Sequence, residues 1–358
     1  MPMRVAVGQH PSATDEYLTF ASQLGVSGVQ FNTPDLPGEQ RWEYQDIRRL
    51  VDRVAAFGLT VEAIENLPTH FYDQVMLGGD RTAEQIGNVC ATIRALGRAG
   101  IPILGLCFMP QSVWRTGLGP WARGGATASV YDHSVAADPA RREEIWIARR
   151  DRRISDAKDS WVRGSHLVTG SHSSEEVMWD RYEHFVRAIV PVAEQANVRI
   201  AFHPDDPPLA ELDGVARILR SVDALERAVS IVDSEALGLD LCLGTVSEMG
   251  GRDAVLDAIS RFGPRGKICY VHLRGVRGQV PVFQECFLGE GNYSPREVVE
   301  RLHQVGFDGF ILDDHTPGLV NDDGYGYRGR AHAIGYLQAL VEVALAPRSE
   351  ASAADGPG

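Results

Sequence analysis

The sequence predicts a closed barrel of eight parallel β-strands, the (β/α)8 or TIM-barrel class of α/β proteins. Three observations indicate this fold. Short apolar segments recur eight times along the 358 residues, amphipathic helical patterns separate most of them, and several of these helices end at a glycine. Eight such units are the number that closes this barrel. An open doubly wound sheet is the alternative, although no glycine-rich phosphate loop follows the first strand.

The predicted strands are short runs rich in Val, Ile, Leu and Phe. They lie at 4–9, 28–32, 60–66, 103–109, 198–203, 238–244, 268–274 and 309–315. Helical patterns lie at 15–24, 44–57, 83–99, 181–196, 252–262, 295–305 and 328–345. Gly25, Gly58 and Gly100 follow the first three helices, which is typical of C-terminal helix caps.

One interval breaks the regular repeat. About ninety residues separate the fourth predicted strand from the fifth, and they are rich in charge, Gly, Ser and Trp. We expect a single barrel domain over 1–345, with an insertion at about 110–180 that serves as a lid or an oligomer contact. A partly disordered surface insertion is the alternative. The composition of 346–358 is typical of a disordered tail.

Charge and composition exclude several classes of protein. The formal net charge of −13 argues against a nucleic-acid partner. The chain lacks an apolar run of about 18 residues, so we expect no membrane partner, and the first ten residues lack the layout of a signal peptide. Five cysteines without a CxxC pair argue against a disulfide framework and a structural zinc ribbon. These features predict a reduced, cytoplasmic protein.

Four consecutive predicted strands each bring a metal-binding side chain to the same rim. His203 ends the fifth strand, Cys242 lies near the end of the sixth, His272 lies on the seventh, and Asp314 lies near the end of the eighth. Active sites of such barrels lie at the carboxyl ends of the strands. Imidazole, thiolate and carboxylate together suit a divalent ion such as Mn²⁺, Fe²⁺, Co²⁺ or Zn²⁺.

Alternation along each strand is consistent with this convergence. Inward-facing residues recur at every second position, so His203 shares a face with Ala201, and Cys242 shares one with Asp240. Each residue also has a structural interpretation: a histidine hydrogen-bonded in the core, a cysteine as a small buried apolar group, and Asp314 as a helix cap. The common rim favours the metal site over these separate interpretations.

Several motifs resemble the mannonate dehydratase family. The chain carries HPDDPP, LCLGT, VHLRGV and LDDHTPG in this order, with VEAIENLP and CFMPQSVWRTG upstream and AIGYLQAL near the end. The resemblance implies a barrel related to xylose-isomerase-like enzymes, a homo-oligomer, Mn²⁺ as the ion, and dehydration of D-mannonate to 2-keto-3-deoxy-D-gluconate. It implies that His203, Cys242, His272 and Asp314 bind the metal and that His315 is catalytic.

Two positions depart from the family pattern. The family has a catalytic tyrosine just before the segment that matches AIGYL, where this chain has Gly-Arg-Ala-His at 329–332. Tyr325 and Tyr327 lie a few residues upstream and are candidates to replace it, and His332 is a third candidate. The family also has a histidine pair after the second strand, where this chain has Phe-Asn-Thr at 31–33.

Four further residues are candidates for substrate binding. Arg274 lies two residues beyond His272, where its guanidinium could hold a carboxylate in a forked geometry. Trp114 and Arg115 end the fourth unit, and Asp205 lies in the HPDDPP motif, where it could also orient His203. The alternatives are a rim ion pair for Arg274 and anchoring of the insertion by Trp114 and Arg115.

The polar residues after the third strand are weaker candidates. Glu65 and His70 lie there, at the same rim as the predicted metal ligands. Both are considered for a role in the site, but neither is among the residues assigned to it.

These observations predict a metal-dependent hydro-lyase that removes water from a sugar acid to give a 2-keto-3-deoxy acid. A base must take the carbon-bound proton next to the carboxylate, and an acid must protonate the departing hydroxyl. An isomerase or epimerase of a sugar or sugar acid on the same scaffold is the first alternative. A non-catalytic, metal-stabilised binding homologue is the second.

Overall fold

The computed structural model describes residues 2–148, 161–163, 172–322 and 324–346. The strands are β1 Arg4–Val5, β2 Val7–His10, β3 Gly28–Asn32, β4 Thr60–Glu65, β5 Ile103–Leu106, β6 Trp114–Arg115, β7 Gly117–Gly119, β8 Ala128–Asp132, β9 Trp146–Ala148, β10 Trp161–Arg163, β11 Arg199–Phe202, β12 Glu211–Leu212, β13 Val215–Ala216, β14 Leu237–Cys242, β15 Ile268–His272, β16 Gly275–Gln279, β17 Val282–Cys286 and β18 Phe310–Leu312. The α-helices are α1 Asp15–Gln23, α2 Tyr44–Ala55, α3 Asp73–Leu77, α4 Thr82–Ala99, α5 His133–Ala136, α6 Glu175–Ala196, α7 Val222–Ser230, α8 Leu243–Phe262, α9 Pro295–Gln304 and α10 Tyr327–Leu345. The tail predicted to be disordered spans 346–358, and its residues 347–358 lie outside the described residues.

The main sheet closes into a barrel. Its hydrogen-bonded order is β1-β18-β15-β14-β11-β5-β4-β3-β2, and the pairs are parallel. Only Ala6 separates β1 from β2. These two segments therefore form one continuous strand of the barrel, which joins the two ends of the sheet and gives a ring of eight strands. This confirms the predicted (β/α)8 class and rules out the open doubly wound sheet. The carboxyl ends of all eight strands therefore meet at one mouth of the barrel.

The core has two main parts. A large apolar cluster packs the helices onto the outside of the barrel, with Tyr17, Phe185 and Leu337 among its fully buried members. A smaller cluster contains Ala201 and Tyr270, which lie on the same strand faces as His203 and His272 but two residues earlier. The inward face of these strands therefore changes from packed apolar residues inside the barrel to polar residues at its mouth.

The helices differ from the predicted pattern in several places. Helix α8 begins directly after β14, nine residues before the predicted start, because non-helical angles at Gly250 and Gly251 bend it and interrupt its apolar periodicity. Helix α7 has no predicted counterpart: it is nine residues long, with four buried side chains and an N-cap at Ser221. So short an apolar stripe gives a weak periodic signal.

The described part of the insertion builds two small sheets above the barrel. Strand β6 pairs with β9, and β9 pairs with β10. Strands β7 and β8 join the hairpin of β16 and β17 in a four-stranded sheet, which we call the upper sheet. Because β16 follows β15 at the barrel mouth, the upper sheet lies beside the polar strand ends.

No helix in the described part of the chain is long and apolar enough to cross a membrane.

Gly105 on β5 is expected to tolerate no side chain. A Cβ there would lie 2.3 Å from the Tyr270 hydroxyl oxygen and 3.0 Å from Glu65 Cγ. We expect Gly105→Ala to lower the free energy of unfolding by about 1–3 kcal/mol, because extra atoms in a packed interior force neighbours out of place. Urea unfolding followed by circular dichroism measures it. Gly87→Ala is the control, since nothing lies within 4 Å of that Cβ; equal losses in the two variants would contradict the prediction.

Candidate metal centre and active site

Three buried side chains converge at the barrel mouth. His203 follows β11 directly, while Cys242 and His272 end β14 and β15, where the register places them side by side. One ligand atom from each lies within 4.8 Å of those of the other two. Asp314, just beyond β18, places Oδ2 3.9 Å from Cys242 Sγ. The structure therefore brings together the four residues predicted as metal ligands.

The donor atoms of this cluster suit a metal ion. His203 Nδ1 lies 2.6 Å from the Pro204 carbonyl oxygen, so it donates there and leaves Nε2 available. His272 Nε2 lies 3.0 Å from Glu65 Oε2, whereas Nδ1 is buried without a hydrogen-bond partner among the described residues. Metal-bound histidines are typically held in this way by their second nitrogen. The residues present therefore fit a divalent ion of intermediate softness.

Electrostatics favour the ionised form of the thiol in this cluster. Burial alone would raise the pKa of Cys242, but the positive charges of Arg274 and His203 outweigh burial and hold that pKa well below its ordinary value. Burial would lower the pKa of His203, but the negative charge of Cys242 raises it to about 10. A bound cation replaces protons at such sites, because thiolate and neutral imidazole are the binding forms.

A second group of carboxylates supports His272 from inside the barrel. Glu65 and Asp240 each have an oxygen within 4.8 Å of a His272 nitrogen. Glu65 Oε2 accepts hydrogen bonds from Gln30 at 2.6 Å and from Gln9 at 3.0 Å. Burial raises the pKa of Asp240 to about 8, although the charge of His272 opposes this shift. Glu65 therefore lies within the site, although the sequence indicated it only as a weaker candidate.

Two buried arginines connect the barrel to the upper sheet. Arg115 donates to Asp206 through Nη1 at 2.5 Å and Nη2 at 2.8 Å, and to Glu285 through Nη2 at 2.9 Å. Arg274 Nη2 donates to Asp206 at 2.6 Å, and its Nη1 donates to Glu285 at 3.1 Å. All four side chains are at most 7% exposed. Each arginine is thus held by the same two carboxylates.

Glu248 lies against the same network. Its Oε1 is 3.0 Å from Arg274 Nη1, although no hydrogen bond of good geometry forms to either carboxylate oxygen among the described residues. Burial and the neighbouring charge of Asp206 raise the pKa of Glu248 well above its ordinary value. Burial also raises the pKa of Asp206, but Arg115 and Arg274 outweigh it and hold that pKa far below its usual range.

Removal of the Asp206 charge is expected to destabilise the fold strongly. Asp206→Asn leaves Arg115 and Arg274 buried with too little negative charge, and loss of one member of a buried pair costs about 3–5 kcal/mol. The midpoint of urea unfolding measures this loss. Asp223→Asn is the matched control, because Asp223 pairs with Arg261 at the surface with 85% of its side chain exposed; equal midpoints for the two variants would contradict the prediction.

His315 lies beside both the metal-binding cluster and the arginine network. Its Nδ1 is 2.6 Å from Glu285 Oε1, and its Nε2 is 3.6 Å from Asp314 Oδ1. Its side chain is 23% exposed, whereas Glu285 and Asp314 are each 7% exposed. Burial would raise the pKa of Glu285, but His315 and Arg115 hold it well below its ordinary value, so this carboxylate is ionised.

The tyrosines predicted as catalytic lie on the segment leading into α10. The Tyr325 hydroxyl donates to the Gly8 carbonyl oxygen, and Arg330 lies over its ring at 4.4 Å. Tyr327 is half-buried, with its ring centroid 4.8 Å from that of Phe20. These contacts place both rings against α1 and β2 and give them no contact with the metal-binding cluster. Their catalytic role therefore stays a prediction.

His332, the third candidate to replace the family tyrosine, lies near His315. The two histidines line one narrow cleft, together with Thr316, Cys286 and Phe287. His332 itself is exposed, and its ring lies edge-on to Phe287 at 5.6 Å.

The side chains predicted to bind substrate already make hydrogen bonds within the protein. Trp114 is buried in a cluster with Tyr131 and donates its indole N–H to the Gln111 carbonyl. Asp205 is fully buried and accepts from the Leu219 backbone N–H at 2.9 Å. Arg115 and Arg274 form the network described above. The structure places the two arginines beside the site, and their role toward substrate stays a prediction.

Several site residues have little signal in the sequence. Gln9, Asp206, Glu248 and Glu285 were not among the predicted site residues. Glu285 is two positions from Phe283 on β17, and both are buried, so an acid on the apolar face of a strand was the available signal. Nothing local indicates that Glu285 pairs with Arg115, which is 170 residues away in the chain.

Comparison with known proteins assigns the family. The family model described as D-mannonate dehydratase (UxuA) matches residues 8–349. A mannonate dehydratase of Streptococcus uberis is 31% identical over 329 residues, which cover 89% of this chain and 92% of that protein. One from Thermotoga neapolitana is 28% identical over 336 residues, covering 89% and 91%.

Solved structures agree with this assignment. The mannonate dehydratase of Streptococcus suis matches with a TM-score of 0.78 at 28% identity, over 96% of this chain and 95% of that one. An L-ribulose 3-epimerase matches with a TM-score of 0.58 at 15% identity, over 96% and 95%, which shows a shared fold alone. The chain therefore belongs to the D-mannonate dehydratase family, whose activity is the removal of water from a sugar acid.

Proposed function

We propose that this protein dehydrates D-mannonate, or a sugar acid closely related to it, to the corresponding 2-keto-3-deoxy acid. The observation that carries the proposal is the buried convergence of His203, Cys242 and His272, with Asp314 and His315 beside them. His203, Cys242, His272 and Asp314 would hold a divalent ion. Such an ion would supply Lewis-acid polarisation of the substrate carboxylate, which would acidify the neighbouring C–H.

The proton transfers are assigned to the protein. His315 takes the proton from carbon 2, because its Nε2 lies next to Asp314 and it is the more exposed side chain of the two. The hydroxyl at carbon 3 receives a proton and leaves as water, and the resulting enol rearranges to the 2-keto acid. Of the candidates for that second proton transfer, His332 shares a cleft with His315, whereas the Tyr325 hydroxyl is engaged by Gly8.

The arginine network has a supporting role in this proposal. The guanidinium groups of Arg115 and Arg274 are already hydrogen-bonded to Asp206 and Glu285, and both side chains are fully buried. We therefore propose that the two arginines chiefly hold the mouth in shape and set its positive potential.

The finer features of the function rest on the sequence. We propose Mn²⁺ as the ion and a homo-oligomer as the assembly, both on the resemblance to the family. We propose a cytoplasmic location because the five cysteines, all buried, form no disulfide. The net charge of −13 supports the absence of a nucleic-acid partner.

A panel of sugar acids and free sugars tests the proposal. The purified chain is incubated with Mn²⁺ and each compound, and the products are read by mass spectrometry. We expect D-mannonate or a stereoisomer to lose one water and to give a 2-keto-3-deoxy acid. A product of unchanged mass would indicate an isomerase or epimerase instead. Tight metal binding without turnover of any compound would indicate a binding protein.

A further inference from the structure

We infer that Glu285 of the upper sheet is the positioning residue for His315, fixing its ring orientation so that Nδ1 faces Glu285 and Nε2 faces Asp314 of the metal-binding cluster. Glu285 lies on β17, outside the barrel strands that supply the predicted ligands. The catalytic consequence of this inference rests on the function proposed above.

The first step of the argument concerns the proton on Nδ1. Glu285 Oε1 lies 2.6 Å from His315 Nδ1, which is hydrogen-bond distance. An ionised carboxylate can only accept, so the hydrogen of this bond is on the imidazole. In a neutral ring with Nδ1–H, the other nitrogen carries the lone pair.

The second step concerns the ionisation of Glu285 itself. Its Oε1 also accepts from Arg115 Nε at 3.1 Å and Nη2 at 2.9 Å, and from Arg274 Nη1 at 3.1 Å. These guanidiniums are fully buried, so their charge is poorly screened by water. A carboxylate bound by two such cations keeps its negative charge and cannot itself donate to the imidazole.

The third step concerns direction. With Nδ1 held by Glu285, the ring places Nε2 3.6 Å from Asp314 Oδ1, and Asp314 Oδ2 lies 3.9 Å from Cys242 Sγ, so Nε2 lies toward the metal-binding cluster. A substrate proton next to a metal-bound carboxylate would be on that side. Glu285 and His315 therefore resemble an acid–histidine dyad, in which the carboxylate holds the catalytic histidine in one tautomer.

The fourth step concerns where Glu285 comes from. Hairpin β16–β17 is paired to β8, which belongs to the insertion, and Arg115 on β6 belongs to the insertion as well. The orientation of His315 therefore depends on docking of the upper sheet onto the barrel. The insertion thus has a role in the proposed chemistry, although all four predicted metal ligands belong to the barrel.

The test compares the intact chain with Glu285→Gln and Glu285→Asp. Protein labelled with ¹⁵N-histidine is examined by two-bond ¹H–¹⁵N correlation, metal-free and loaded with diamagnetic Zn²⁺, and the His315 signals are identified by their loss in His315→Gln. We expect Nδ1–H with unprotonated Nε2 in the wild type, a shift toward Nε2–H or a mixture in Glu285→Gln, and retention of the wild-type tautomer in Glu285→Asp. Metal content is measured in parallel and is expected to stay unchanged.

Kinetics provide the second measurement. We expect Glu285→Gln to lower kcat about 10²–10⁴-fold, with KM changed far less, and Glu285→Asp to recover part of the loss. Glu290→Gln is the matched control: Glu290 follows β17 and pairs at the surface with Arg123 and Arg277, so loss of its charge should change neither tautomer nor kcat.

The outcomes separate this inference from the proposed function. Nε2–H in the wild type, or one tautomer in all variants, would overturn the inference. A wild type that turns over no sugar acid, but whose tautomer depends on Glu285, would reject the proposed function and still support the placement of His315 by Glu285.

Discussion

His203→Ala is expected to abolish metal binding and, with it, activity. The substitution removes one of three donor atoms that lie within 4.8 Å of one another in a buried site. Even outer partners of metal ligands change affinity about 10–100-fold, so loss of a ligand should weaken binding beyond that range. A Lewis acid contributes several kcal/mol to such a transition state, so kcat/KM should fall about 10³-fold or more at metal concentrations that saturate the wild type.

Metal content and kinetics check this prediction together. Plasma emission spectrometry of the dialysed protein gives the bound ion, and titration with Mn²⁺ and Zn²⁺ gives the affinities. Cys242→Ser is a second variant that preserves side-chain volume, which protects the test against failure to fold. His184→Ala on the exposed face of α6 is the control. Undiminished metal content in both His203→Ala and Cys242→Ser would rule out this metal site.

His315→Gln is expected to remove activity while the metal stays bound. General acid–base catalysis contributes about 10²–10⁴-fold, and His315 is the proposed base. Its imidazole is bonded to Glu285 and is not one of the clustered donor atoms, so the ion should be retained. We expect kcat to fall by that factor, with KM changed little.

A partial reaction tests the role of His315 directly. If His315 takes the carbon-bound proton, NMR in D₂O should show that His315→Gln loses both dehydration and any exchange of that proton. His332→Gln should retain exchange if it acts only on the leaving hydroxyl. A His315→Gln enzyme with wild-type kcat would contradict the assignment, and one that has lost its metal would identify His315 as a ligand instead.

The barrel could be predicted because its signals are local. Each strand is a short apolar run, and alternation within it places Ala201 and His203, or Asp240 and Cys242, on one face. All eight predicted strands occur in the structure, with ends displaced by a few residues; the strand predicted to reach residue 109 ends at Leu106. Such boundaries depend on where hydrogen bonding to the neighbouring strand stops, which no single strand encodes.

The charged surroundings of the site could not be predicted for a different reason. Glu285, Arg115 and Asp206 belong to three separate loops and strands, and their pairing depends on how the upper sheet docks onto the barrel. The same holds for Arg274, which the sequence placed as a free carboxylate clamp. In the structure four carboxyl groups lie within about 3 Å of its nitrogens: those of Asp206, Glu248, Glu285 and Asp314.

The sequence by itself determined the barrel, the family motifs and the rim at which His203, Cys242, His272 and Asp314 meet, because strand period and strand order are written in contiguous residues. Only the tertiary structure decided which nitrogen of each histidine is held, which carboxyls are ionised, and that Glu285 rather than a barrel residue contacts His315. These properties depend on distances of a few ångströms between segments far apart in the chain, and on the exclusion of water around them.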